Sequence, residues 1–208
     1  MAKRIGIILL FFSALVLLDY VGTAIANSFS SSGIASLFPT GYVGPSTGLS
    51  SIDFSFFGKD GSGRSFITQG YGYTPYSYLY VNRWHNGIDI AAKYGAPIYA
   101  PNDQVVFAVG DQDRYCPGRG FGRYVATIDV ARNVILWYAH LGQISVTPGQ
   151  DIHKGTEIGT IGATGLETGT HLHFSVYDTA GFSMKDKYGC GPDPDGKDMN
   201  PLPYLNNF

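Results

Sequence analysis

Outside residues 5–18, no stretch of useful length in this 208-residue chain repeats its apolar residues at the 3.6-residue period of a helix. What recurs instead is a short apolar run closed by a turn. Runs at 88–90, 97–100, 104–109, 124–130, 134–140 and 171–177 read as strands. Lys93-Tyr94-Gly95, Pro101-Asn102-Asp103, Ala131-Arg132-Asn133, Pro148-Gly149 and Lys154-Gly155 punctuate them. Residues 66–80 add one strand and an aromatic loop, and no internal repeat is present. The 28 glycines, 15 tyrosines and 13 phenylalanines, with only 14% charged residues, suit many short strands better than helices. The expectation is an all-β fold: one compact, mainly antiparallel sheet system spanning residues 52–208, with the Pro/Gly/Asp-rich tail wrapping the surface.

The N-terminus reads as an export signal. Lys3 and Arg4 precede an apolar run at 5–18, and Ala24-Ile25-Ala26 has the small-x-small pattern of a cleavage site. This pattern favours a signal peptide over residues 1–26; the alternative is an uncleaved anchor attached to the membrane through residues 5–26. Residues 27–51 read as a Ser/Gly-rich linker. Export into oxidising surroundings leads us to expect one disulfide between the only two cysteines, Cys116 and Cys190. A net charge of −2 with no clustered basic residues excludes a nucleic-acid footprint.

Two of the five histidines lie one residue apart in THLHFSV. On a strand, His171, His173 and Ser175 share one face, while Leu172, Phe174 and Val176 point into a core. The other histidine segments are WHNGIDIA, with His85 four residues before Asp89, and WYAHLG, with His140. Imidazoles plus a carboxylate suit Zn²⁺, with a position left open in a catalytic site. Gly87 and the β-branched Ile88 and Ile90 argue that the His85–Asp89 segment is extended rather than helical, so spacing alone does not bring the pair together. The two glutamates, Glu157 and Glu167, sit in no HExxH motif. Histidine is therefore the better candidate for a general base. Same-face strand neighbours stand about 7 Å apart, which lets one imidazole of HLH hold a metal while the other reaches a reacting group. His153 reads as an exposed turn residue, and Asp129 and Asp178 as solvated carboxylates. The tyrosines from 71 to 80 serve either to line a groove or to anchor a loop.

Taken together, HNGIDIAAKYGAPIYAPNDQVV, GRYVATID and LWYAHLGQISVTPGQDIHKGTEIGTIGATGLETGTHLHFSV resemble the lysostaphin-type (LytM-like) zinc metallopeptidases, which cut peptide bonds of bacterial peptidoglycan. The resemblance runs over residues 67–176. It implies a β-sheet domain with an active-site groove, with His85, Asp89 and His173 as zinc ligands and His140 and His171 as the catalytic pair. One histidine would accept a proton from water and the pair would stabilise the oxyanion, with Zn²⁺ as the polarising ion. Two departures stand out. Glu167 occupies a position where serine is usual, at the groove edge, and residues 111–123 form a longer loop carrying Cys116.

The leading expectation is thus an exported, secreted, periplasmic or envelope-associated zinc metalloendopeptidase acting on peptidoglycan peptide stems or cross-bridges. The alternatives are a non-catalytic envelope regulator that activates other wall hydrolases, and a peptidase with a non-wall protein substrate.

Overall fold

The computed structural model describes residues 55–57, 65–80 and 82–205; the expected leader (1–26) and linker (27–51) lie outside the described residues. The strands are β1 (Phe66–Gln69), β2 (Ile88–Ala91), β3 (Pro97–Tyr99), β4 (Gln104–Asp111), β5 (Arg123–Asp129), β6 (Val134–Ala139), β7 (Leu141–Ile144), β8 (Asp151–Ile152), β9 (Glu157–Ile161), β10 (His171–Asp178), β11 (Ser183–Lys185), β12 (Asp193–Asp195) and β13 (Asp198–Met199). One short helix, α1 (Pro201–Leu205), follows. Among the described residues, no helix is long and apolar enough to cross a membrane.

The main sheet runs β1-β2-β10-β6-β5-β4-β8, with β13 also pairing β10, and every pairing is antiparallel. A second sheet, β3-β9-β7, packs its Ile98, Ile158, Ile161 and Leu141 into the core below. Alternation sorts β10 as the sequence suggests. Leu172, Phe174 and Val176 enter the large apolar core, with Ile88, Ile90, Leu136 and Tyr138 from its neighbours. Ala139, Trp137 and Tyr177 occupy the opposite face, where Tyr124 and Phe121 cover them in a smaller cluster. All six residues of β6 are buried for this reason: both faces of the sheet are covered at its centre.

Three details differ from the sequence reading. Among the described residues the strands form three sheets rather than one system: β3, β9 and β7 make one small sheet and β11 and β12 another, and β7, β9, β11 and β12 are short, polar or Gly-containing pieces whose strand character comes from pairing. The tail does not merely wrap the surface: β13 adds to β10, and the β11–β12 hairpin forms its own ladder. Asp129, expected to be solvated, is fully buried. It accepts hydrogen bonds from Asn102, from the Arg132 backbone and guanidinium at 3.1 and 3.0 Å, and from the Tyr204 hydroxyl at 2.9 Å. A strand-end aspartate can cap the next turn while holding α1 against the sheet, and its burial is tolerable because its oxygens are paired.

Cys116 and Cys190 are joined in a disulfide. Beside it, the buried Gln112 side chain donates to Pro192 O and Asp193 Oδ1 and accepts from the Phe121 backbone N–H. Together these contacts fix the loop between β4 and β5, and that loop roofs the site described next.

Candidate active site

The antiparallel register of β10 sets His173 opposite Asp89 on β2 and opposite Ala139 at the end of β6. Directly opposed residues in such a ladder have side chains within contact distance. His85 reaches the same place from outside the strand. Its backbone exchanges hydrogen bonds with Gly72, at 2.8 and 2.9 Å, which curls the segment back so that residues four apart in sequence meet. Gly87 makes the curl possible: a Cβ there would lie 2.5 Å from Phe174 O and 2.9 Å from His173 Cε1.

Three ligand atoms result. His85 Nε2, Asp89 Oδ1 and His173 Nδ1 are separated by 3.2 Å (His85–Asp89), 3.0 Å (His173–Asp89) and 3.0 Å (His85–His173). Ligands on a tetrahedral ion with bonds near 2.0–2.1 Å stand about 3.3 Å apart, so these residues fit a divalent metal with little movement. They are the His/Asp cluster with metal-binding geometry among the described residues. The nitrogen of each imidazole that faces away is also held: His85 Nδ1–H donates to Gly70 O at 2.7 Å, and His173 Nε2–H to Ser175 Oγ at 2.7 Å.

His140 and His171 flank this cluster. Their rings are 4.8 Å apart, and His171 Nε2 lies 3.5 Å from Asp89 Oδ1. Each donates its Nδ1–H to a backbone carbonyl, His140 to Thr164 O at 2.7 Å and His171 to Gly169 O at 2.6 Å. That makes Nε2 the lone-pair nitrogen of both rings. His140 sits between β6 and β7 with φ 61°, a left-handed conformation that costs a non-glycine residue about 1 kcal/mol or more. The Phe121 carbonyl accepts from its backbone N–H at 3.0 Å and holds it there.

The electrostatics favour one protonation pattern. Burial alone would raise the Asp89 carboxyl, but hydrogen bonds with His173 and His85 outweigh that and keep it well below the carboxylate range. Burial, then the neighbouring His171 and His173, push His140 down to about 3. Burial also carries His173 down to about 4, against the pull of Asp89. Anionic Asp89 beside a neutral His173 is the state a cation needs from these two ligands.

Four of the five histidines therefore converge, and His153 stands apart, exposed beside Asp103. Sequence reasoning missed the carbonyls of Gly70, Thr164 and Gly169, which no residue type announces, and the stacking of Tyr80 on His85 at 5.4 Å. It did group Ser175 with the histidines on one face without giving it a role. A groove of about 570 Å³ opens over the site, walled on one side by Gln69, Tyr76 and Tyr80 and on the other by the loop from Leu166 to Thr170.

The chain is similar to known proteins. The pattern of peptidase family M23 matches residues 83–187. The DD-carboxypeptidase/endopeptidase Mpg of Neisseria meningitidis serogroup B is 37% identical over 110 residues, covering 53% of this chain and 24% of that protein. The peptidoglycan DD-endopeptidase ShyA of Vibrio cholerae is 37% identical over 92 residues, covering 44% of this chain and 20% of that protein. The catalytic domain of a mutant prophage-encoded M23 protein, EnpA from Enterococcus faecalis, superposes with a TM-score of 0.50 at 29% identity, over 70% of this chain and 95% of that one. The chain thus spans about a quarter or less of the length of these curated relatives.

Proposed function

The chain belongs to peptidase family M23, and from that membership we propose that it is an exported zinc metalloendopeptidase hydrolysing peptide cross-links of bacterial cell-wall peptidoglycan. The observation that carries the reading is the cluster of His85 Nε2, Asp89 Oδ1 and His173 Nδ1, within 4.8 Å of one another, beside two further imidazoles whose Nδ1–H groups are held by backbone carbonyls. The names of Mpg and ShyA, both endopeptidases, support the reaction class, and ShyA supports the substrate. Export is supported by the apolar leader and by the Cys116–Cys190 bridge, since such bonds persist in oxidising compartments.

Held by His85, Asp89 and His173, Zn²⁺ would supply a Lewis acid for both water and the scissile carbonyl. His140 is neutral at physiological pH and presents its Nε2 lone pair, so it is suited to accept the proton of the attacking water. The Thr164 carbonyl keeps the other ring proton on Nδ1 and so fixes this tautomer. His171, on the same side as His140 and next to Asp89, is placed to stabilise the developing oxyanion once protonated. The proton taken from water rides on the imidazole pair and passes to the departing amine, so the step is balanced with no further reagent. Phe121, packed 5.5 Å from His173, and the groove walls limit the access of bulk water.

The test is digestion of purified walls of known chemistry by the zinc-loaded protein, with the fragments weighed by mass spectrometry. Fragments split at a peptide cross-link are expected, with one new amine and one new carboxylate for each bond cut. A zinc-loaded protein that leaves every wall type intact would overturn the reading.

A further inference from the structure

The groove contains a carboxylate that the chemistry above does not use. Glu167 lies in the loop between Thr164 and His171, and its Oε2 atom is buried with no hydrogen-bond partner among the described residues. The loop that carries it is firmly tied just upstream. Leu166 N–H donates to Gly120 O at 2.8 Å, and Gly165 N–H donates to the Asp113 carboxylate at 3.1 Å. Thr164 Oγ1 donates to Leu141 O at 3.0 Å and accepts from Arg123 N–H. A close approach fixes the turn: a Cβ on Gly165 would lie 2.3 Å from Gly122 N, and its φ is 74°. The backbone is thus anchored just before Glu167, which is partly buried and lines the groove.

A carboxylate oxygen drawn away from water with nothing to bond is unfavourable on its own. No lysine or arginine among the described residues lines this groove, and the other carboxylate there, Asp89, is engaged by His85 and His173. The groove lining supplies no cation for Glu167, which leaves its carboxylate available to a cation on the ligand. The fitting group is a compact cation with several donors, and an ammonium supplies three N–H bonds on a point charge. A ligand carboxylate would instead meet repulsion, and an apolar side chain would leave the oxygen unsatisfied.

We propose that Glu167 is a specificity residue that receives a primary ammonium group of the peptide bound in the groove, either the side chain of a diamino acid or a free α-amine. The inference rests on the groove being the peptide-binding cleft of the proposed peptidase, and it adds which peptides that cleft selects. Glu167 acts on binding and on the orientation of the chain, not on the reacting atoms.

Binding, read without hydrolysis, tests it. The probe is a hexapeptide with one lysine, compared with its norleucine counterpart, each with a free or acetylated N-terminus. Affinities are measured by calorimetry at low salt on the full zinc-loaded chain carrying His171→Ala, so that the peptide survives. One charge-assisted hydrogen bond in a sheltered site is worth about tenfold in affinity. The lysine peptide is expected to bind about tenfold tighter than the norleucine peptide if the side chain is the partner. If the α-amine is the partner, the free N-terminus carries that preference instead. Adding Glu167→Gln should bring the ratio close to one, and Glu167→Lys should reverse it in favour of a glutamate peptide. Equal affinity across all four peptides, or a preference that survives Glu167→Gln, would overturn the proposal. The comparison among peptides on one protein does not depend on whether either Glu167 variant folds. Intact walls together with an ammonium preference would remove the peptidase reading and keep this one; wall cleavage with no preference would do the reverse.

Discussion

Each imidazole at the centre is oriented by a hydrogen bond on its outward nitrogen. For His85, His140 and His171 the acceptor is a backbone carbonyl, which no side-chain substitution removes. For His173 it is the Ser175 hydroxyl, at 2.7 Å and fully buried, so this support alone can be deleted by mutation. Ser175→Ala is expected to lower metal affinity about 10- to 100-fold, because the ring loses the partner that fixes its tautomer. Competition with a chromophoric chelator measures it, and an unchanged affinity would show that β10 alone sets the ring. His140 illustrates a second residue-scale device. Its φ of 61° stores strain where the imidazole must point back under the Phe121 loop. The carbonyl partners of the other three imidazoles and the His140 backbone angle are not visible in sequence, whereas Ser175 shares its strand face with His173 in the sequence itself.

At the scale of elements, the site is a product of register. β2 and β10 pair so that Asp89 and His173 face each other, and slipping one strand by one residue would send its member of the pair to the opposite face. Gly87 guards that pairing. Gly87→Ala would drive a methyl group into Phe174 O and the His173 ring, with an expected loss of more than about 2 kcal/mol of stability. Chemical denaturation of the metal-free protein measures it, and a loss under about 0.5 kcal/mol would mean that the strand gives way cheaply. The strands that frame the site were legible because their residues alternate: β10 shows its two faces in the order of its letters, and β6 reads as an unbroken apolar run because both its faces are covered. β7, β8 and β9 were not, because segments such as Glu157–Ile161 carry too little apolar signal and take their form from the strands beside them. The ligand set came from the likeness of whole motifs. His85 and Asp89 gave no independent sign of meeting, since the bridge to Gly72 that curls them together is a long-range pairing.

At the scale of the molecule, distant segments converge on one centre and a covalent tie holds their roof. The Cys116–Cys190 bridge closes a 74-residue span, and by loop entropy such a tie contributes about 4 kcal/mol. Replacing both cysteines by serine should remove a large part of that stability in urea unfolding, and should loosen the loop through Gln112 and Phe121 that holds His140. A variant as stable as the parent would show that Gln112 and its partners suffice. The central claim is that three of the convergent groups bind one ion and two others do the chemistry. The most direct measurement assays zinc content and amine release from purified walls in the same preparations of the parent, His173→Ala and His171→Ala proteins. One zinc per chain with release in the parent, neither in His173→Ala, and one zinc without release in His171→Ala is the predicted result. A parent that holds no zinc, or a His171→Ala protein that releases amine at the parental rate, would contradict it.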